Sequence, residues 1–206
     1  TLQAVDRWKQ CERLIAISES TRRSLVRYLD VEPERIEVVP NGIDRDQFRP
    51  VEGDDELQRV RDRYGIRGRF VLYVGGYDYR KNVETLIRAA PRLPGDITLV
   101  LGGTLEQKRQ RRYRRIARRL GVDDRIEFIG FVDNPELQAL YSAADVFAYP
   151  SLAEGFGLQV LEAMATGCPV VAGFATSLPE VVGDAGLLAN PSDPRAFGEA
   201  LGRVLE

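Results

Sequence analysis

The chain of 206 residues contains no histidine. That absence excludes a Ser-His-Asp triad, most zinc sites and imidazole acid–base catalysis from its own side chains. Any catalytic histidine has to come from elsewhere. There are only two cysteines, Cys11 and Cys168, too few for a disulfide framework and consistent with a reducing, cytoplasmic setting. No apolar run approaches the length of a membrane span, and no signal peptide opens the sequence. A net charge of −2 argues against a general nucleic-acid binder. The first residue is threonine rather than methionine, and the opening residues read as mid-helix, so a fragment of a longer protein is expected.

What is present is patterned. From Phe70 onward, short apolar runs alternate with longer amphipathic stretches. Strands are expected at Phe70–Val74, Ile97–Leu101, Ile126–Ile129, Val146–Tyr149, Pro169–Ala172 and Gly186–Ala189. Each is nearly continuous in apolar residues and rich in β-branched or aromatic types, as strands buried on both faces must be. Between them, helices are expected at Val83–Ala90, Glu106–Leu120, Pro135–Ala143, Leu158–Thr166 and Pro194–Leu205. This alternation predicts an α/β fold, a Rossmann-like, doubly wound parallel sheet whose ligands bind at the carboxyl ends of the strands. Gly75-Gly76, Gly102-Gly103 and the Ser151–Gly157 loop all fall at such ends.

The first 45 residues differ. Arg13–Ile17 is a short apolar run, Ser20–Leu29 reads as a capped helix, and Ile36–Val39 is a strand leading into Pro40-Asn41-Gly42-Ile43-Asp44. They predict a small strand-helix-strand unit ahead of the main sheet.

The stretch Leu152 to Val171 is the most informative. Gly155 and Gly157 carry no side chains, so the backbone there can approach a ligand closely. The N-terminus of the helix that follows adds unpaired N–H donors and partial positive charge suited to phosphate. Glu154 stands in the loop before this helix and Glu162 about a turn and a half inside it. Backbone amides could cradle a diphosphate while the two carboxylates accept hydrogen bonds from sugar hydroxyls on either side. A nucleotide-sugar is the ligand that asks for both.

Glu154, seven intervening residues and Glu162 resemble the E-x7-E motif of retaining glycosyltransferases with the GT-B fold, family 4 or group 1. Pro150-Ser151, Glu162-Ala163-Met164-Ala165 and Gly167-Cys168-Pro169-Val170-Val171 match its flanks. The resemblance implies that Glu154 contacts the donor sugar, that Glu162 holds the ribose, and that the Gly155, Phe156, Gly157 and Leu158 amides receive the diphosphate. It also implies that residues 1–45 are the tail of an acceptor-binding N-terminal domain plus a linker, and that 46–206 form the nucleotide-sugar-binding domain. Most of the N-terminal domain, and the C-terminal helix that usually crosses back onto it, are then expected to be missing.

Other positions join this site. Gly75-Gly76 at a strand end, followed by Arg80-Lys81, offers backbone room and two cations for a diphosphate. Many family members have arginine where Gly76 stands; here Arg80 is expected to replace that charge. The variant Gly-Gly-x-x-x-Arg-Lys-Asn leans towards GDP-mannose as donor. Gly130-Phe131-Val132 resembles the segment whose backbone contacts the nucleobase, with Val132 as the candidate residue. Leu178–Val182 and Asp184–Leu188 match late family motifs and are read as structural. No separate cofactor is expected, and no metal: Asp44-Arg45-Asp46 spells D-x-D but falls in the interdomain segment.

Lys108 to Arg119 holds eight basic residues in twelve. Tyr113, Ile116, Ala117 and Leu120 fall on one apolar face, which makes the arginines the solvated side of an amphipathic helix. A second reading is peripheral contact with an anionic membrane at its inner face, where a glycan or lipid-linked acceptor could be met. The reading as a whole is the donor-binding half of a retaining hexosyltransferase, inactive by itself. A nucleotide-sugar epimerase and a non-catalytic nucleotide-sugar-binding module are the alternatives.

Overall fold

The computed structural model describes Trp8 and residues 10–206; the expected mid-helix opening falls mostly outside the described residues. Two parallel sheets are present among them. The smaller pairs β1 (Leu14–Ala16) with β2 (Ile36–Val38), joined by α1 (Glu19–Leu29). This strand-helix-strand unit closes over its own small core of Ala16, Val31 and Ile36. Ser18 caps α1 by accepting a hydrogen bond from the Thr21 amide.

The larger sheet has six strands: β3 (Arg69–Val74), β4 (Ile97–Gly102), β5 (Ile126–Gly130), β6 (Val146–Tyr149), β7 (Val170–Gly173) and β8 (Leu187–Ala189). All neighbours are parallel, in the order β5-β4-β3-β6-β7-β8. Phe70 to Val74 are buried without exception, which explains the continuous apolar run: both faces of β3 are covered. The helices are α2 (Asp54–Tyr64), α3 (Glu84–Ala89), α4 (Gln107–Leu120), α5 (Asn134–Ala143), α6 (Leu158–Ala165), α7 (Leu178–Val182) and α8 (Pro194–Leu205). α3 packs against α4 and α8, while α2 packs against α5, which meets α6. These two groups cover the two faces, giving the doubly wound arrangement. Strand order reverses between β3 and β6, and a crevice at the carboxyl ends of the strands opens at such a point.

Two expectations need amendment. Helix α2 has no counterpart in the sequence reading. Only Val60 is buried in it, and it stands on electrostatics instead: Asp54, Asp55 and Glu56 in its first turn, Arg61 and Arg63 in its last, and a left-handed Gly65 as C-cap. In α4, Tyr113 and Ala117 are buried and Ile116 half-buried, but Leu120 is exposed, one residue before the helix ends at Gly121.

The small unit is tied to the large sheet through α1. The Glu180 carboxylate of α7 accepts hydrogen bonds from the Glu19 and Ser20 amides, both at 2.7 Å. Ser18 Oγ donates to the Gly155 carbonyl at 2.8 Å. A helix N-terminus is thus closed by a carboxylate from a distant part of the chain.

Candidate functional site

The carboxyl ends of β3 and β6 each lead into a loop, and the two loops are joined. After β3, Asp78 accepts from the Arg80 amide and starts a tight turn over Tyr79–Lys81, which left-handed Asn82 ends. Asn82 Nδ2 donates to the carbonyls of Pro191 (2.6 Å) and Pro150 (3.2 Å). The Arg80 carbonyl accepts from the Leu152 amide (2.7 Å) and from Ser151 Oγ (3.0 Å). The turn that carries the two cations is therefore held directly against the loop that carries Glu154.

Lys81 and Glu154 meet there. Lys81 Nζ lies 2.8 Å from Glu154 Oε1, with side chains only 12% and 10% exposed. The ammonium also donates to the Tyr149 hydroxyl at 2.6 Å and sits 5.0 Å from the centre of that ring. Tyr149 donates in turn to Gln159 Oε1 of α6 at 3.1 Å. Burial, reinforced by the Glu154 charge, pushes the Tyr149 hydroxyl well above the ordinary tyrosine pKa, so it stays a neutral relay between Lys81 and Gln159. The sequence expectation placed Lys81 on a diphosphate and Glu154 on a sugar. Here each neutralises the other, as two charges so little exposed must.

Arg80 behaves differently. Its guanidinium is 57% exposed, pairs with Asp78 at 3.2 Å and touches the Ala153 carbonyl at 3.4 Å. It is the more exposed and less confined of the two cations.

The loop from Glu154 to Gly157 is held from behind. The Glu154 amide donates to Thr176 Oγ1 at 2.8 Å. Buried Ser177 Oγ lies 3.0 Å from the Glu154 carbonyl and 2.9 Å from that of Phe156; its single proton serves one at a time. Gly157 caps α6 with φ 110°, and a Cβ there would sit 2.7 Å from Leu178 Cδ2. The backbone conformation favours glycine there, and any larger residue would also have to displace the tip of buried Leu178.

Glu162 lies within α6, half-buried, and accepts from the Tyr141 hydroxyl at 3.1 Å. Burial raises its carboxyl pKa above the ordinary value, against the opposing pull of that hydrogen bond. No hydrogen bond or ion pair joins Glu162 to Glu154 among the described residues; they stand at successive points along one loop and helix.

Gly75 and Gly76 end β3, and the Tyr73 hydroxyl donates to the Gly76 carbonyl. Neighbouring Gly103 is packed so tightly that a Cβ there would lie 2.1 Å from the Gly75 carbonyl oxygen. Val132 is buried beside Gly102, with its side chain turned into the fold; Phe131 is 68% exposed. Asp44 Oδ1 accepts from the amides of Asp46 and Gln47, so it is engaged in its own turn.

A concavity of about 910 Å³ is not over the Lys81–Glu154 pair. It lies beside the Tyr79–Lys81 turn, lined among others by Tyr79, Arg88, Lys108, Arg109, Arg112 and Arg115. Converging strand ends and paired charges, rather than depth, mark the candidate site. Tyr149, Tyr141, Gln159, Thr176 and Ser177 were not singled out from the sequence. One signal was available for Tyr149: a hydroxyl on the last residue of a fully buried strand must find a partner at the strand's carboxyl end.

Similarity to known proteins agrees with this architecture. Residues 68–206 match the family described as Glycosyl transferases group 1, and residues 2–47 match Glycosyltransferase Family 4. A D-inositol 3-phosphate glycosyltransferase of Salinispora tropica is 37% identical over 95% of this chain and 44% of its own length. The serotype-specific mannosyltransferase WbdA of Escherichia coli is 30% identical over 96% of this chain and 25% of its own. The chain thus spans less than half the length of these relatives. Among solved structures, Anabaena HepE in complex with UDP and glucose superposes with a TM-score of 0.89 at 25% identity, covering 100% of this chain and 57% of that one. Its sheet is one Rossmann-like half of the GT-B fold, and the chain belongs to the group 1 glycosyltransferases.

Proposed function

We propose that this chain is the donor-binding half of a retaining glycosyltransferase that moves a hexose from a nucleoside-diphosphate-sugar to a hydroxyl of a glycan or lipid-linked acceptor. The observation that carries the reading is the Lys81–Glu154 pair at the β3/β6 switch point, set directly before the N-terminus of α6. An incoming diphosphate can take the place of the Glu154 carboxylate on Lys81, with Arg80 swinging in and the Gly155, Phe156, Gly157 and Leu158 amides completing the cradle. Glu154, released from Lys81, then turns to the hydroxyls of the sugar. Glu162 accepts from the ribose, and Gly75, Gly76 and Val132 line the approach with backbone groups.

Charge stabilisation of the departing diphosphate is the chemical contribution of this half. Two cations and a helix terminus supply it without a divalent metal or separate cofactor. Several neighbours support the donor class: the Anabaena HepE structures hold UDP, UDP with glucose, or UDP-glucose. GDP-mannose is the donor towards which the Gly-Gly-x-x-x-Arg-Lys-Asn loop and the mannosyltransferase relatives lean.

The test separates the two glutamates. Glu162→Ala should weaken binding of free nucleotide, since a ribose contact is made with or without sugar. Glu154→Ala should strengthen binding of free nucleotide, since Lys81 no longer has to be released from the carboxylate, and reduce only the extra affinity conferred by the sugar. Each lost charge-assisted hydrogen bond is expected to cost about 1.5–3 kcal/mol. Equal losses in both variants, for both ligands, would refute the assignment.

A further inference from the structure

Helix α4 carries eight basic residues, seven of them in two distinct sets, with half-buried Arg109 in neither. Arg112 is bonded to Glu84 at 2.6 Å, and Arg114 and Arg118 reach Asp123 at 3.3 Å and 3.1 Å. Lys108, Arg111, Arg115 and Arg119 are exposed and have neither an ion pair nor a side-chain hydrogen bond among the described residues. At about 100° per residue, these four fall within an arc of about 80° and extend over about 16 Å of helix. They lie opposite Ala117, which is buried against the sheet.

Folding asks only that this face be polar, not that it be uniformly cationic. Arg111 with Arg115, and Arg115 with Arg119, are like charges four residues apart, a spacing that destabilises a helix. The amphipathic requirement is already met by Tyr113 and Ala117. The rest of the chain carries an acidic excess, while these four cations stand together on one outward line. A flat anionic surface can meet the helix along such a line, whose Lys108 and Arg115 also border the concavity beside the Tyr79–Lys81 turn. A single-stranded nucleic acid would ask for stacking aromatics among the cations, and a strand or duplex alike would meet the acidic remainder as it extended past the stripe.

We propose that the outer face of α4 docks this chain on an anionic lipid bilayer through Lys108, Arg111, Arg115 and Arg119. The contact is electrostatic and peripheral, and it is independent of the donor assignment.

Flotation of the chain with vesicles tests it. Vesicles of phosphatidylcholine mixed with phosphatidylglycerol should carry the protein; pure phosphatidylcholine vesicles should not. Replacing stripe cations with glutamine should weaken binding roughly 5-fold for each one removed, and added salt should do the same. All four are exposed, so the quadruple variant should keep the wild-type circular dichroism and thermal transition. Neutralising Arg195 and Arg203 on α8 should leave vesicle binding unchanged. Failure to float with anionic vesicles, equal flotation with neutral ones, or an unaffected quadruple variant would overturn the proposal. So would tighter binding to an oligonucleotide than to anionic vesicles.

Discussion

Replacing Glu154 with glutamine removes one charge of the Lys81–Glu154 pair while keeping its shape. Both side chains are about nine-tenths buried, so Lys81 is left as a sparsely solvated cation. Breaking a buried pair by removing one member costs about 3–5 kcal/mol when nothing else compensates. Here Lys81 retains the Tyr149 hydroxyl at 2.6 Å and the ring face at 5.0 Å, and the glutamine oxygen can still accept from it. A loss of about 2 kcal/mol is therefore expected, the scale of one charge-assisted hydrogen bond. For a chain of this size that lowers Tm by about 4–8 °C. The informative step is adding a saturating nucleoside diphosphate. If the diphosphate replaces the carboxylate on Lys81, the variant gains more from the ligand than the wild type does, and the Tm gap narrows. Differential scanning calorimetry with and without GDP or UDP measures both numbers. A gap that stays constant or widens with nucleotide would refute the exchange of partners on Lys81.

Two further outcomes are expected. Glu162 has a raised carboxyl pKa, so its ionised form is disfavoured in the fold; its contribution to stability is present at low pH and lost as pH rises through the folded value. Glu162→Gln should accordingly raise Tm at neutral pH while weakening nucleotide binding; and the wild-type binding, which needs the ionised carboxylate, should fall off above the ordinary glutamate value of 4.5 as pH is lowered, with proton release in calorimetry. Glu180→Ala leaves the Glu19 and Ser20 amides without their carboxylate; hydrogen exchange should quicken in α1 while the β3–β7 amides keep their protection.

The sheet was legible because its strands are buried on both faces, and continuous apolar runs such as Phe70–Val74 leave little choice of structure. α2 was not, since its sequence DDELQRVRDRY offers one buried side chain, and its ends are set by charge and by Gly65 rather than by an apolar stripe. The loop positions of Lys81 and Glu154 could be read from glycines and spacing. Their mutual pairing could not, because it joins residues 73 apart through loop geometry that only the folded strand order creates. The same holds for Tyr141 and Tyr149, whose rings read as core and whose hydroxyls hold Glu162 and Lys81. Glu180 fell in a stretch read only as structural, and its bonds to α1 appear only when the small unit is docked.

On the proposed reading, this half binds a nucleoside-diphosphate-sugar with its own cations and helix terminus. Isothermal titration of the chain with GDP, UDP, GDP-mannose and UDP-glucose in EDTA tests that most directly. One nucleotide and its sugar conjugate should bind, with affinity unchanged when magnesium or manganese is supplied and severely reduced in the Arg80→Ala, Lys81→Ala double variant. Binding that vanishes in EDTA and returns with the metal would contradict the account.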